Sequence, residues 1–221
     1  MEKEQRRKRK INSTYNKYVK RMIDLVLSGL ALLIAWPILG VLAIIIKVTD
    51  PGPALFTQKR VGIRKNGELT YFPIYKFRTM KTSTPKDVPT HLLGNPEQWI
   101  TGIGKILRKT SLDELPQIWN IFIGNMSIVG PRPALWNQYD LIEERDKYLA
   151  NDVRPGLTGW AQINGRDELP IDVKAKMDGD YVENIGMLFD LKCFLLTIAS
   201  VLREDGVVEG GTGTIQKAEE K

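Results

Sequence analysis

Two adjacent carboxylates, Asp113 and Glu114, are the strongest candidates for catalytic residues in this chain. Arg108 and Lys109 come shortly before them, and apolar residues at helical spacing follow. Because the N-terminus of a helix attracts anions, a diphosphate bound there would lie beside a carboxylate that can attack phosphorus and form an acyl phosphate. Acidic residues in a first helical turn are also ordinary, since they complement the helix dipole. The local pattern alone favours this second, structural interpretation.

The helix after the two carboxylates has recognisable start and stop signals. Ser111 and Glu114 have the spacing of a capping box, although Pro116 blurs the predicted start. Gly124 is a suitable stop. The predicted buried face consists of Leu115, Ile118, Trp119, Phe122 and Ile123.

Arginines beside prolines or glycines are further candidates for anion binding. Arg132 lies between two prolines, which restrain the backbone around a guanidinium that could bind phosphate through two hydrogen bonds. A surface turn with an incidental arginine would have the same pattern. Arg154 and Arg166, each close to a glycine, are weaker candidates of the same kind.

The chain has one cysteine, Cys193, and one histidine, His91. A single cysteine excludes an internal disulfide and a cysteine-rich zinc site, and a single histidine excludes the zinc sites that need a pair of histidines. The chemistry must therefore come from carboxylates and arginines.

Residues 22–46 form an apolar segment long enough to cross about 30 Å of hydrocarbon as a helix, and Asp24 is its only charge. A simple span has its surplus of Lys and Arg on one side, whereas here both flanks are basic. Trp36-Pro37 predicts a kink, because proline removes a backbone hydrogen bond. These features fit a re-entrant helix, which returns to the same side of the membrane, about as well as a kinked span.

The positive charge is concentrated before the apolar segment. Residues 1–21 contain nine Lys and Arg against two Glu, while the whole chain carries +6, so the remainder is close to neutral. A nucleic-acid-binding domain would be basic in its folded part, and this class is disfavoured. A basic arm beside an apolar segment attracts anionic lipid, at roughly 1 kcal/mol per cation. A solvated tail is the other interpretation of the arm.

The remaining pattern predicts an α+β fold that is mainly helical. Residues 54–58 and 69–77, separated by Lys65-Asn66-Gly67, predict a small β-hairpin, and the polar residues 81–96 predict a loop. Two amphipathic stretches, 135–149 and 188–202, fit core helices or helices on the membrane interface. The predicted units are a basic arm (1–21), a membrane helix (22–47) that the pattern leaves open as re-entrant or spanning, a folded domain (48–205) and a C-terminal tail (206–221).

Five blocks in order resemble the monotopic phosphoglycosyl transferases, also called bacterial sugar transferases, over residues 18–213. The blocks are Lys20-Arg21-Met22-Ile23-Asp24, Tyr75-Lys76-Phe77-Arg78-Thr79-Met80, Thr110-Ser111-Leu112-Asp113-Glu114-Leu115-Pro116-Gln117, Val129-Gly130-Pro131-Arg132-Pro133 and Arg154-Pro155-Gly156-Leu157-Thr158-Gly159-Trp160-Ala161-Gln162. Any one block alone would be a weak signal, whereas the ordered set is specific.

The resemblance implies transfer of a sugar 1-phosphate from a UDP-sugar to a polyprenyl phosphate such as undecaprenyl phosphate. Asp113 would be the nucleophile and a ligand of Mg²⁺, and Glu114 its partner in a catalytic dyad. UMP would leave, and a phosphosugar would remain on Asp113 until the lipid collects it. This would be the first membrane step in assembling a capsule, exopolysaccharide, O-antigen or glycoprotein glycan.

The resemblance also implies phosphate contacts, a topology and a location. The phosphate contacts carried over by position are Lys76, Arg78, Arg108, Arg132 and Arg166. It implies that the membrane helix (22–47) is re-entrant and that the arm (1–21), the catalytic domain (48–205) and both termini are cytoplasmic at the bacterial inner membrane. It also favours a minimal catalytic form without preceding membrane helices. Relatives often have Ser-Pro at the bend, where this chain has Trp36-Pro37. The alternative is a membrane-anchored interaction protein without catalysis.

Overall fold

The computed structural model describes residues 1–85, 96–165 and 169–202. Within these ranges the protein is mainly helical with two small pairs of strands, which confirms the predicted α+β class. In chain order the elements are α1 (Glu2–Ile11), α2 (Lys20–Thr49), β1 (Leu55–Lys65), β2 (Glu68–Phe77), α3 (Gly102–Lys109), α4 (Gln117–Phe122), β3 (Ser127–Val129), α5 (Tyr139–Asp146), β4 (Gly156–Thr158), α6 (Trp160–Ile163), α7 (Ile171–Asn184) and α8 (Met187–Leu202). The predicted tail, 206–221, and most of the predicted loop lie outside the described residues.

The apolar segment forms the single helix α2, which extends slightly beyond the predicted bounds of 22–47 at both ends. A π-helical turn at Tyr15–Val19 leads into it, and Pro37 lies in its interior. Its central side chains face outward, with Trp36 69% exposed. Among the described residues it is the one helix long and apolar enough to cross a membrane.

The basic arm folds against the body instead of extending from it. Helix α1 packs on α7, where Arg7 forms an ion pair with Glu183 at 3.3 Å and Lys10 donates to the carbonyl of Ile185 at 3.0 Å. Lys20 forms a buried pair with Asp190 of α8 at 2.5 Å. Part of the charge of the arm therefore fixes α1 and the start of α2 to the last two helices.

The predicted hairpin is confirmed. Strands β1 and β2 pair antiparallel, and Asn66 and Gly67 turn the chain with φ of 52° and 83°. Positive φ at both central residues is the geometry that two-residue hairpin loops require, and Asn-Gly suits it because both residues tolerate this region. Strand β1 is longer than predicted and reaches the turn directly.

The two amphipathic stretches have different surroundings. Helix α5 begins at Tyr139, later than predicted, and buries Leu141 and Ile142 in the core. Helix α8 exposes Leu188 and most of its other apolar residues, although its Cys193 is fully buried. The contacts of α5 are those of a core helix, whereas the outward apolar surface of α8 is typical of a helix on a membrane interface.

Candidate active site

Asp113 and Glu114 lie in a short 3₁₀ turn, Leu112–Glu114, that precedes α4. The predicted capping box is wrong. Ser111 is in the left-handed region at φ 55° and makes no capping hydrogen bond, and α4 begins only after Pro116. Gly124, at φ 90°, follows the end of α4 as predicted. The carboxylates are therefore held by the turn and its tertiary contacts.

Asn120 attaches α4 to the outer edge of the hairpin. Its side chain accepts from the Tyr75 N–H at 3.0 Å and donates to the Pro73 carbonyl at 2.8 Å. Asn120 is completely buried, and these bonds satisfy two backbone groups on the edge of β2 that faces away from β1. Because Lys76 follows on the same strand, the attachment brings this lysine towards the turn that carries the carboxylates.

The carboxylate of Glu114 binds two cations from distant parts of the chain. Its Oε1 atom accepts from Lys76 Nζ at 2.7 Å and from Arg132 Nη2 at 3.2 Å. Burial alone would raise the pKa of Glu114, but the positive charges of Lys76 and Arg132 outweigh burial and hold its pKa well below the ordinary value of 4.5. Since the pKa is depressed in the folded state, the stabilisation is present above pH 4.5 and is lost as the pH falls further.

Arg132 is presented by a loop that is fixed on both sides. The Pro131 carbonyl accepts from the Gly156 N–H at 2.8 Å, and the Pro133 carbonyl accepts from Arg60 at 3.0 Å. The first bond attaches the loop to Gly156 at the start of β4, the strand that pairs in parallel with β3. The restraint expected from the two prolines is thus reinforced by hydrogen bonds to β4 and β1.

Arg108 and Arg78 also bind groups outside the carboxylate pair. Arg108, on α3, donates to Thr79 Oγ1 at 2.9 Å. Arg78 is buried and binds both the carboxylate and the carbonyl of Asp50, the residue directly after α2. Arg166 lies outside the described residues. The structure therefore brings Lys76 and Arg132 to the carboxylate pair, and it directs Arg78 to the end of the membrane helix.

The site combines a carboxylate pair with positive charge. Asp113 is 4% exposed and directly precedes Glu114 in the same turn. Lys76 and Arg132 place two cations beside this turn, and charge-assisted hydrogen bonds from such groups are the usual means of binding phosphate. An anionic phosphate bound to these cations would lie next to a buried carboxylate that can act as a nucleophile.

Comparison with known proteins assigns the family. The profile described as "Bacterial sugar transferase" matches residues 15–204, which is most of the chain. The chain belongs to the bacterial sugar transferase family. The matched residues include both membrane-helix ends, the carboxylate pair and the cations around it, as the resemblance of the five blocks indicated.

Named relatives of this bacterial sugar transferase act on different sugars. It is 40% identical over 194 residues to the "UDP-glucose:undecaprenyl-phosphate glucose-1-phosphate transferase" of Escherichia coli K12, covering 84% of this chain and 40% of the relative. It is 36% identical over 207 residues to the "Undecaprenyl-phosphate galactose phosphotransferase" of Salmonella typhimurium, covering 86% and 42%. The chain thus spans about two fifths of the length of these relatives.

A relative of similar length is also matched. The sugar transferase EpsL of Bacillus subtilis is 35% identical over 199 residues, which cover 90% of this chain and 95% of the relative. The family fold therefore also occurs in chains about as long as this one.

The sequence patterns did not reveal three residues that connect the elements around the carboxylate turn of this bacterial sugar transferase. Asn120 bridges α4 and β2, and Arg21 and Asp24 connect the start of α2 to α4 and β3. The signal for Asn120 in the sequence was that it is a polar residue within an apolar helical pattern. Asp24, the lone charge in an apolar segment, offered a similar signal.

Proposed function

We propose that this bacterial sugar transferase moves a sugar 1-phosphate from a UDP-sugar to undecaprenyl phosphate. The observation that carries the proposal is that Glu114, which directly follows Asp113 in one turn, binds Lys76 and Arg132 from separate elements. A diphosphate donor needs positive charge at its phosphates and a nucleophile beside them, and this arrangement supplies both. The names of the Escherichia coli and Salmonella typhimurium relatives both include undecaprenyl phosphate, which supports this lipid as the acceptor.

The proposed reaction proceeds in two displacements at phosphorus. A carboxylate oxygen of Asp113 attacks the β-phosphorus of the UDP-sugar, the bond from that phosphorus to the bridging oxygen breaks, and UMP leaves with the electron pair. A phosphate oxygen of undecaprenyl phosphate then attacks the same phosphorus and displaces Asp113. The products are UMP and an undecaprenyl diphosphate sugar, and the carboxylate is regenerated.

Lys76, Arg132 and Glu114 have complementary roles in this proposal. Lys76 and Arg132 stabilise negative charge on the transferring phosphoryl group, and Glu114 holds both cations in place before the donor arrives. Since the pKa of Glu114 is depressed by these same cations, it remains an anion at neutral pH. Asp113 therefore acts beside a fixed negative charge, which favours a role for Glu114 in positioning over one in proton transfer.

Magnesium is proposed as the accompanying ion. Mg²⁺ usually binds one or two carboxylates together with substrate phosphates. No group of three or more potential protein ligands occurs among the described residues, whereas the adjacent carboxylates match the smaller set. Asp113 would hold the ion with the diphosphate of the donor. When bound, the ion would neutralise charge on the diphosphate.

We propose that α2 is re-entrant and that both of its ends lie at the cytoplasmic face of the inner membrane. Near its start, Asp24 accepts from the N–H of Ile128, and near its end Ile46 is buried against Leu107 and Phe77. A straight helix would separate positions 24 and 46 by about 33 Å, roughly the thickness of the hydrocarbon core. Since one folded body binds both ends and the middle of α2 is exposed and apolar, a return to the same side is supported.

Labelling of single cysteines is expected to confirm this topology. In a Cys193→Ala background, cysteines at exposed positions Lys17 and Val48 should react equally with a membrane-impermeant maleimide in inside-out vesicles, and neither should react in right-side-out vesicles. A cysteine at Ile34, in the exposed middle of the helix, serves as the buried-in-lipid control. Labelling of positions 17 and 48 from opposite sides would establish a kinked span.

Release of UMP from a panel of UDP-sugars tests the proposed activity. The full chain is incubated in detergent with Mg²⁺ and undecaprenyl phosphate, and UMP and lipid products are measured with UDP-glucose, UDP-galactose and their N-acetylated amino forms. We expect one donor to give UMP and an equal amount of lipid-linked sugar. UMP formed without lipid product would indicate hydrolysis, and no UMP with any donor would favour an anchored interaction protein.

A further inference from the structure

The first turn of the membrane helix contacts both segments that form the active site. Arg21 and Asp24 are three residues apart, so their side chains lie on the same face of α2. Arg21 binds the segment that follows the carboxylate pair, and Asp24 binds the segment that precedes Arg132. One helical turn therefore contacts both the segment that follows the carboxylate turn and the segment that leads to Arg132.

Arg21 closes the C-terminal end of α4. Its Nη1 and Nη2 atoms donate to the carbonyls of Ile121 and Phe122, both at 2.7 Å. The last carbonyls of a helix lack partners within the helix, and a guanidinium supplies two donors in a fixed geometry. Gly124 makes room for this contact, because a Cβ atom there would lie 3.2 Å from Arg21 Nη2. Since α4 follows the carboxylate turn, Arg21 restrains that turn from the opposite end of the helix.

Asp24 fixes the strand that leads to Arg132. It is 2% exposed, and its Oδ1 atom accepts from the backbone N–H of Ile128 at 3.0 Å. Ile128 is the middle residue of β3, which pairs with β4 and continues into the loop that presents Arg132. A buried carboxylate is costly unless it binds donors, so the Ile128 N–H offsets part of the cost of burying Asp24 and joins β3 to the start of α2.

The two segments meet again at the Glu114–Arg132 pair, at 3.2 Å. We propose that Arg21 and Asp24 are positioning residues that set the separation of the carboxylate turn from Arg132, so that the start of the membrane helix determines the geometry of catalysis. This inference rests on the proposed sugar-phosphate transfer, since it concerns the placement of groups for that reaction. Displacement of a reacting group by about 1 Å can cost about 100-fold in rate.

Kinetics of paired variants test the proposal in the full chain with the donor found in the panel. Asp24→Ala removes the acceptor for the Ile128 N–H, whereas Asp24→Asn retains a carbonyl oxygen there. We expect Asp24→Ala to lower kcat by about 10- to 100-fold with a donor KM within about threefold of wild type, and Asp24→Asn to recover most of kcat. Arg21→Gln should resemble Asp24→Ala, and Lys17→Gln, an exposed cation one turn earlier, should resemble wild type. Equal losses in the alanine and asparagine variants would overturn the proposal.

A double-mutant cycle separates positioning from general loss of stability. If Asp24 sets the place of Arg132, then Arg132→Lys should cost much less in the Asp24→Ala background than in wild type. Distant and independent sites give additive effects, so additive losses would overturn the proposal. The cycle uses kcat per folded protein, with folded protein measured by thermal unfolding of each variant.

Hydrogen exchange tests the contact independently of turnover. Asp24→Ala should increase exchange at the amide of Ile128 and in the peptide that contains Arg132, and Asp24→Asn should restore protection. This result would stand even if no donor gave UMP, in which case the proposed function fails and the structural link remains. Unchanged exchange at Ile128 in Asp24→Ala would overturn the link itself.

Discussion

Replacement of Asp113 with asparagine is expected to reduce sugar-phosphate transfer by more than about 1,000-fold, because a neutral amide cannot form the acyl phosphate on which both displacements depend. The change alters one atom of a side chain that is 4% exposed, so it leaves the volume of the site unchanged. Release of UMP and formation of lipid-linked sugar measure the loss. Intact-protein mass spectrometry with donor alone should detect a phosphosugar adduct on the wild type and none on the variant.

Asp172→Asn provides the matched control. Asp172 is an exposed acidic residue in the first turn of α7, which is the ordinary structural setting that the local pattern around Asp113 also suggested. Its replacement should leave transfer unchanged. Normal turnover by Asp113→Asn, or an adduct that maps to another residue, would contradict the role proposed for Asp113.

Sequence patterns predicted the elements whose geometry is local. The hairpin turn depends on the left-handed conformations of Asn66 and Gly67, and these are written in the residue types themselves. Helix α2 was predictable because an uninterrupted apolar segment of this length has few other stable structures. Both predictions needed no knowledge of the rest of the chain.

The capping box failed because a tertiary contact outweighed the local one. A capping box requires the Glu114 side chain to reach back to the backbone of Ser111. In the structure this side chain binds Lys76 and Arg132 instead, and Ser111 has a left-handed backbone that a helix N-cap does not adopt. The sequence therefore matches the capping-box pattern, but the Glu114 carboxylate binds two cations and not the backbone of Ser111.

The assembly of the site could not be derived from spacing. Lys76 and Glu114 are 38 positions apart, and Arg132 follows 18 positions after Glu114. Arg78 and Arg132 each lie in one of the five blocks that resemble the family, and the blocks themselves do not distinguish the two arginines. In the structure Arg78 binds Asp50 at the end of α2, whereas Arg132 binds Glu114. Only the packing of β2, α4 and β3 decides which cation meets the carboxylates.

Alanine at Gly156 is the second change with a large expected effect, and it acts through the strands beside the loop of Arg132. A Cβ atom there would lie 2.1 Å from the backbone nitrogen of Gly130 and 2.4 Å from the carbonyl oxygen of Thr158. A Cβ atom cannot lie so close to backbone atoms. Strands β3 and β4 must therefore separate, and the loop that carries Arg132 must move with them. We expect kcat/KM to fall by about 100-fold or more, measured as UMP release per folded protein.

Gly102→Ala separates this effect from a general intolerance of glycine replacement. Gly102 begins α3, and a Cβ atom there would meet nothing within 4 Å, so transfer and melting temperature should match wild type. For Gly156→Ala, the loss of activity should exceed what its folded fraction explains, because the strands can part locally while the helices remain packed. If Gly156→Ala retained wild-type transfer, the close pairing of β3 with β4 would not be what places Arg132, and the restraint would have to come from Arg60 on the other side of the loop.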